Sequence, residues 1–196
     1  MPVLVRDATA DDADALSRLW SDLVAHPAAD ASGDPPEVLL AKAATRYAED
    51  DQGRIVVAEI DGLVVGCAFL RIGLVSPVDD SGVVQLSHVQ VAQEYGRQGV
   101  GTALVEATLT WAEHRGIESV VAAVPAHDRE ANRFLARLGM ALVANLRGGS
   151  VPALRARVVH APAGAVRQKA RAGRTVGQVV AARRSQRRAR IRQIAP

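Results

Sequence analysis

The chain has 196 residues, 48% apolar and 23% charged, the size and composition of one α/β domain with a core of its own. Its single cysteine, Cys67, excludes an internal disulfide and any multi-cysteine zinc site. The N-terminus has no basic stretch followed by an apolar run, and no segment has the roughly 20 apolar residues of a membrane span, so a cytoplasmic protein with no membrane partner is expected. The net charge of +3 hides two unlike halves: residues 1–130 hold all 21 acids against 9 bases, and residues 131–196 hold 15 bases and no acid.

In chain order, Val3-Leu4-Val5-Arg6 reads as a short strand, and Thr9 followed by Asp12 as a capping-box helix start. Leu16, Leu19, Trp20 and Leu23 then form the stripe of an amphipathic helix. His26 to Pro36 is a loop by its composition. Asp34-Pro35-Pro36-Glu37 opens a second helix whose Leu39, Leu40, Ala43 and Tyr47 line the buried side. Residues 54–60 and 63–72 are strands joined by Asp61-Gly62, a strong hairpin signal. Ser76 to Gly82 is a turn, and Val83 to Val91 a further strand.

From Gly99 to Glu113 the period becomes helical, with Val100, Leu104, Ala107 and Trp111 on one face and Gly116 as the stop. Ser119 to Val124 is an almost wholly apolar run, as a strand covered on both faces should be. Asp128 caps a helix carrying Ala131, Phe134, Leu135 and Leu138, Gly139 ends it, and Ala141 to Leu146 reads as a final strand. The order β-α-α-β-β-β-α-β-α-β gives an α/β fold with a mixed, largely antiparallel sheet flanked by helices. Val151 to Val159 reads either as a short helix or as a strand. Residues 1–160 are taken as the folded domain and 161–196 as an Arg-rich C-terminal extension, in which Val176, Val179, Val180 and Ala181 could seed one more helix.

The stretch that carries chemistry runs from Val89 to Thr102: a strand, a glycine-rich turn, then a helix N-terminus. Glycines let successive backbone N–H groups converge, and the helix adds about half a positive charge, which together suit a diphosphate. Arg97 and Gln98 can add side-chain donors and Thr102 a hydroxyl. A P-loop is excluded because no Gly-Lys-Ser/Thr follows, and a dinucleotide fold because the third glycine is missing.

Gly96-Arg97-Gln98-Gly99-Val100-Gly101-Thr102-Ala103-Leu104, after the strand ending Val89-Gln90-Val91, resembles the acetyl-CoA motif of GNAT-family N-acetyltransferases. The helix from Glu130 to Met140, closing Leu138-Gly139-Met140, is similar to that family's last helix, and the resemblance spans about residues 3–147. It implies a single GNAT-like domain whose fourth and fifth strands splay apart, with acetyl-CoA as co-substrate. Backbone groups of Val89 and Val91 would bond the pantetheine arm, an N–H near Val89 or Gln90 would polarise the thioester carbonyl and hold its oxyanion, and the N–H groups of Arg97, Gln98, Gly99, Val100, Gly101 and Thr102 would hold the diphosphate.

The sequence departs from the family pattern at several positions. A glutamine or arginine is replaced by Gly96, the tyrosine that protonates the departing thiolate falls at Leu135, the asparagine before it at Asp128, and the strand glutamate used as a base falls at Gln85. His88, on the same strand, is the candidate general base, set against an ordinary surface histidine. Glu94 reads as solvated, and Ser87 could donate to a water. Cys67 reads as an inert core thiol. His127 and His160 have no ligand partners at metal spacing, so no metal is expected.

The expected activity is transfer of an acetyl group to a primary amine of a small molecule or protein. A non-catalytic acyl-CoA-binding module and a nucleic-acid- or ribosome-associated acetyltransferase are the alternatives. Asp30, Asp34 and Glu37, in the loop that the resemblance places beside the acceptor groove, could attract a cationic amine. The basic stretch Arg167 to Arg192 suits one of two partners: the acidic front half, its own or that of a neighbour in a homodimer, or a polyanion such as nucleic acid.

Overall fold

The computed structural model describes residues 2–24, 33–74 and 82–159. Asp30 and most of its loop, the turn after Val75, His160 and the Arg-rich extension lie outside the described residues. The chain divides into two compact units, Met1–Ala141 and Leu142–Pro196.

In the first unit, β1 (Leu4–Asp7) leads through a 3-10 turn into α1 (Ala13–Leu19), α2 (Ser21–Val24) and α3 (Pro36–Ala48). Strands β2 (Gly53–Ile60), β3 (Leu63–Leu74) and β4 (Gly82–Val91) follow, then α4 (Val100–His114), β5 (Ser119–Ala123) and α5 (Arg129–Arg137). The sheet order is β1-β2-β3-β4-β5, antiparallel except for the parallel β4–β5 pair. This is the mixed, largely antiparallel sheet that the element order predicts.

Alternation along the strands divides the core into two layers. Val56, Ala58, Ala68 and Leu70 pack with Val100, Leu104 and Trp111 of α4. Ile55, Val57 and Cys67 face the other way, onto Leu16, Trp20, Leu40 and Ala44. Full burial of Leu70, Leu86 and Leu104 stabilises the fold by about 1.5–3 kcal/mol apiece. Of the predicted stripe of α3, Leu40 is buried and Ala43 and Tyr47 pack half-buried against this second layer; Ala44 is the other buried residue, and Leu39 is not part of the cluster.

The start of α1 is built as the capping box implies, with the Thr9 N–H donating to Asp12 Oδ2 at 2.7 Å. Arg6 of β1 clasps the same carboxylate with two N–H groups, at 2.7 and 2.8 Å, and also reaches Glu59 of β2. A β-strand, its neighbour and a helix start thus share one guanidinium. The single helix predicted through Leu23 instead breaks at Trp20, whose backbone leaves the helical region (φ −101°, ψ 31°), and Leu23 is 40% exposed.

Two strand expectations are corrected. Ala141 to Leu146 forms no strand, and Leu142, Val143 and Leu146 are 80%, 77% and 83% exposed. Strand propensity in six residues yields a strand only where an edge receives it, and none pairs with this segment among the described residues. β5 is half-buried rather than covered on both faces, since among the described residues it pairs only with β4 and stands at the sheet edge. In the second unit the described residues end in α6 (Val151–Val159), so the stretch left open by the sequence is helical. Ser150 starts it, its carbonyl accepting from the Leu154 N–H at 2.9 Å. No helix among the described residues is long and apolar enough to cross a membrane.

Candidate active site

The parallel pairing of β4 with β5 runs from Val83–Ser119 to Ser87–Ala123 and stops there. On its other side β4 is irregular at the same point. Ser87 pairs with Phe69 and Gln90 with Cys67, so His88 and Val89 stand opposite Ala68 alone. An extra residue in one strand bends it and turns peptide groups out of the ladder. His88 has φ +52°, a left-handed conformation that favours glycine or asparagine. Its carbonyl accepts from the Trp20 indole N–H at 2.7 Å.

Beyond Val91 the chain makes a 3-10 turn at Gln93–Tyr95 and enters the glycine turn. Arg97 (φ +62°) and Gly99 (φ +88°) both take left-handed conformations before α4 begins. Alternating left- and right-handed residues make a concave nest of N–H groups. Among the described residues, no hydrogen bond engages the backbone N–H of any residue from Arg97 to Thr102; the first helix amide with a partner is that of Ala103, donating to Gly99 O at 2.9 Å. These are donors that an anion could take up, at the positive end of a 15-residue helix. The Gln98 side chain braces the turn, donating to the Glu94 carbonyl at 3.1 Å, so that donor is directed into the loop itself.

A strand edge released at its end, leading through a nest into a helix, is the arrangement the sequence resemblance implies. The acetyltransferase (GNAT) family profile matches residues 18–140, more than half of the chain. The chain belongs to the GNAT acetyltransferase family. Members of this family use acetyl-CoA as the acyl donor. Solved structures agree in fold. A transcriptional regulator from Bacillus halodurans C-125 is 20% identical, with a TM-score of 0.64 over 76% of this chain and 99% of that one. The aminoglycoside N-acetyltransferase AAC(6')-Iy in complex with CoA is 18% identical (TM-score 0.61; 76% and 94%). Glucosamine-6-phosphate N-acetyltransferase from Arabidopsis thaliana is 14% identical (TM-score 0.62; 77% and 99%). No curated protein sequence matches significantly.

Within this GNAT domain the residues singled out from sequence fall on two elements. His88, Val89, Gln90 and Val91 form the freed end of β4; Arg97, Gln98, Gly99, Val100, Gly101 and Thr102 form the turn and first helical residues. Val89 and Val91 pack toward the α4 layer. The His88 ring lies on the other side, 6.3 Å from the Trp20 ring and 6.5 Å from that of Phe69, and remains exposed. Partial burial lowers its pKa below 6.5, so the imidazole is neutral at neutral pH. Its Nδ1 is 3.1 Å from the hydroxyl of Ser87.

Other candidates have structural work. Asp128 caps α5, its Oδ1 accepting from the N–H groups of Glu130 and Ala131 at 3.1 and 2.9 Å. Asp34 pairs with Lys42 at 2.7 Å, and Glu37 accepts from Ser17 at 2.9 Å, so both acids hold the start of α3. Cys67 is fully buried and desolvation pushes its thiol pKa up, which makes it inert as a nucleophile. Gln85 lies between Arg71 and Val121 in the sheet and Leu135 is buried, so neither position supplies a titrating group. Among the described residues no group of three acidic, His or Cys side chains could hold a metal. Sequence reasoning placed Trp20 in the helix stripe and missed its bond to β4. A buried indole N–H always needs an acceptor, but spacing along α1 does not say which.

Proposed function

We propose that this chain transfers the acetyl group of acetyl-CoA to a primary amine of a small molecule or protein, by direct attack of the amine on the thioester. The observation that carries the reading is the end of the β4–β5 pairing at Ser87 and Ala123, with the nest and helix N-terminus following on the same strand. The N–H groups from Arg97 to Thr102, unengaged among the described residues, fit a diphosphate, and the released edge from His88 to Val91 fits a pantetheine arm laid alongside as an added strand. A backbone N–H near Val89 or Gln90 would stabilise negative charge on the thioester oxygen. Much of the rate comes from holding amine and thioester together, with no covalent enzyme intermediate.

In the reaction the amine nitrogen bonds to the acetyl carbon, the carbon–sulfur bond breaks, and the amine loses a proton. His88, neutral and exposed at the freed strand end, takes that proton. Leu135 has no proton to give, so the departing thiolate is protonated by solvent. Calorimetry with acetyl-CoA tests the donor site, and release of free CoA thiol tests turnover over an amine panel. That panel begins with an aminoglycoside and glucosamine-6-phosphate, the acceptors named for two similar structures. Sub-millimolar binding with turnover is expected; no binding would remove the reading. Gln85 and Leu135 favour a second reading, a non-catalytic acyl-CoA-binding module, which binding without turnover across the panel would establish.

A further inference from the structure

We propose that Trp20 is a positioning residue for the acetyl end of the donor site: its indole N–H holds the His88 carbonyl and thereby keeps the β4 bulge in the conformation that faces the thioester. The inference rests on the proposed acetyl-CoA site and adds a residue from a different layer of the fold. Three observations converge on it. The hydrogen bond is short, 2.7 Å, and joins residues 68 apart in sequence. The carbonyl it holds belongs to the one β4 residue with a left-handed backbone, which has no register partner on β3 or β5. The indole itself is 5% exposed and sits where α1 breaks, packed with Leu16 and Leu40, so its N–H is fixed in direction.

The physical reason is strain. A histidine held at φ +52° relaxes toward the extended region unless something outside the strand opposes it. The ladder does not, because pairing is broken on both sides of His88. The indole bond does, and since a peptide group is planar, fixing the His88 carbonyl fixes the direction of the Val89 N–H as well. The bulge is then set before any ligand arrives, which is how a backbone donor becomes useful to a reacting carbonyl.

The test compares the dissociation constants of acetyl-CoA and of CoA by calorimetry on the full chain. Trp20→Phe keeps an aromatic ring and removes the donor. It is expected to weaken acetyl-CoA by about three- to tenfold while leaving CoA, held mainly at the diphosphate, within about twofold. In a His88→Gly background glycine adopts φ +52° at no cost, so adding Trp20→Phe should change neither constant. Equal weakening of both ligands, an unchanged ratio, equal wild-type affinities for the two ligands, or the same loss in the glycine background would each overturn the proposal. Should Trp20→Phe alone fail to fold, recovery of folding by His88→Gly supports the clamp, and failure of both variants assigns Trp20 to packing and overturns it. A wild-type chain that binds neither ligand rejects the donor site itself, a distinct outcome.

Discussion

Val100 of α4 lies so close to Gly66 of β3 that a Cβ on residue 66 would sit 2.7 Å from Val100 Cγ1 and 3.2 Å from the Gln90 carbonyl oxygen. Gly66 is therefore the contact that lets the N-terminus of α4 press against the sheet beside the freed end of β4. The Gly66→Ala variant is expected to lose about 1–3 kcal/mol of stability through overpacking and to bind acetyl-CoA more weakly, because the helix start must move. Urea unfolding and calorimetry check both; an unchanged unfolding midpoint would show that the helix shifts without cost.

Gly99 and Gly101 should respond in opposite ways. No atom lies within 4 Å of a Cβ built on Gly99, yet its φ is +88°, so Gly99→Ala meets only backbone strain, about 1–2 kcal/mol. The same change reorients the nest and should weaken acetyl-CoA by at least about tenfold. A Cβ on Gly101 would sit 3.6 Å from the Phe134 ring, an ordinary contact, and alanine suits a helix better by roughly 0.5–1 kcal/mol. Gly101→Ala should then keep or raise the melting temperature and bind acetyl-CoA nearly as the wild type. Equal losses from both substitutions would contradict this account of the turn.

Arg6 ties β1, β2 and the start of α1 together through Asp12 and Glu59. Asp12 is 6% exposed, and the Arg6 guanidinium, with help from the Thr9 N–H, holds its carboxyl pKa below 3.8. A carboxylate with a depressed folded pKa stabilises above its unfolded value and loses that contribution as pH falls through the folded one. Arg6→Ala should cost about 2–3 kcal/mol at neutral pH, since it leaves a buried carboxylate without its cation. It should also flatten the loss of stability below about pH 3.8. Urea midpoints across that range, for variant and wild type, make the comparison.

His88 acts in the same direction at higher pH. Its folded pKa is lowered below 6.5, so between the two values the unfolded chain binds more protons. Stability from this residue is full above pH 6.5 and declines as pH falls toward the lowered pKa. His88→Asn, which tolerates the left-handed backbone, should remove that slope. Under the proposed mechanism kcat/KM rises with pH through the same lowered pKa, and the asparagine variant loses about a hundredfold. Activity that survives the substitution would leave His88 as a structural residue of the bulge.

The family motif was legible because its physics is local. Gly99 and Gly101 with the helix behind them form a nest and a dipole within one short run of sequence, and periodicity alone separates that helix from the strand before it. The capping box at Thr9 and the Asp128 cap were readable for the same reason, since each is a side chain bonding to its own turn. The expected strand at Ala141 to Leu146 was not realised, because a strand is a relation to a neighbour and six apolar-rich residues do not name one.

What the sequence determined by itself, then, is the α/β class, the mixed and largely antiparallel sheet, and the glycine turn that leads from β4 into α4. These follow from side-chain spacing and from backbone freedom at particular residues. Only the tertiary structure decided where β4 leaves β5, that His88 takes a left-handed backbone, and that Trp20 reaches across 68 residues to hold its carbonyl. Those features depend on register and on the packing of one layer against another, which no window of sequence contains.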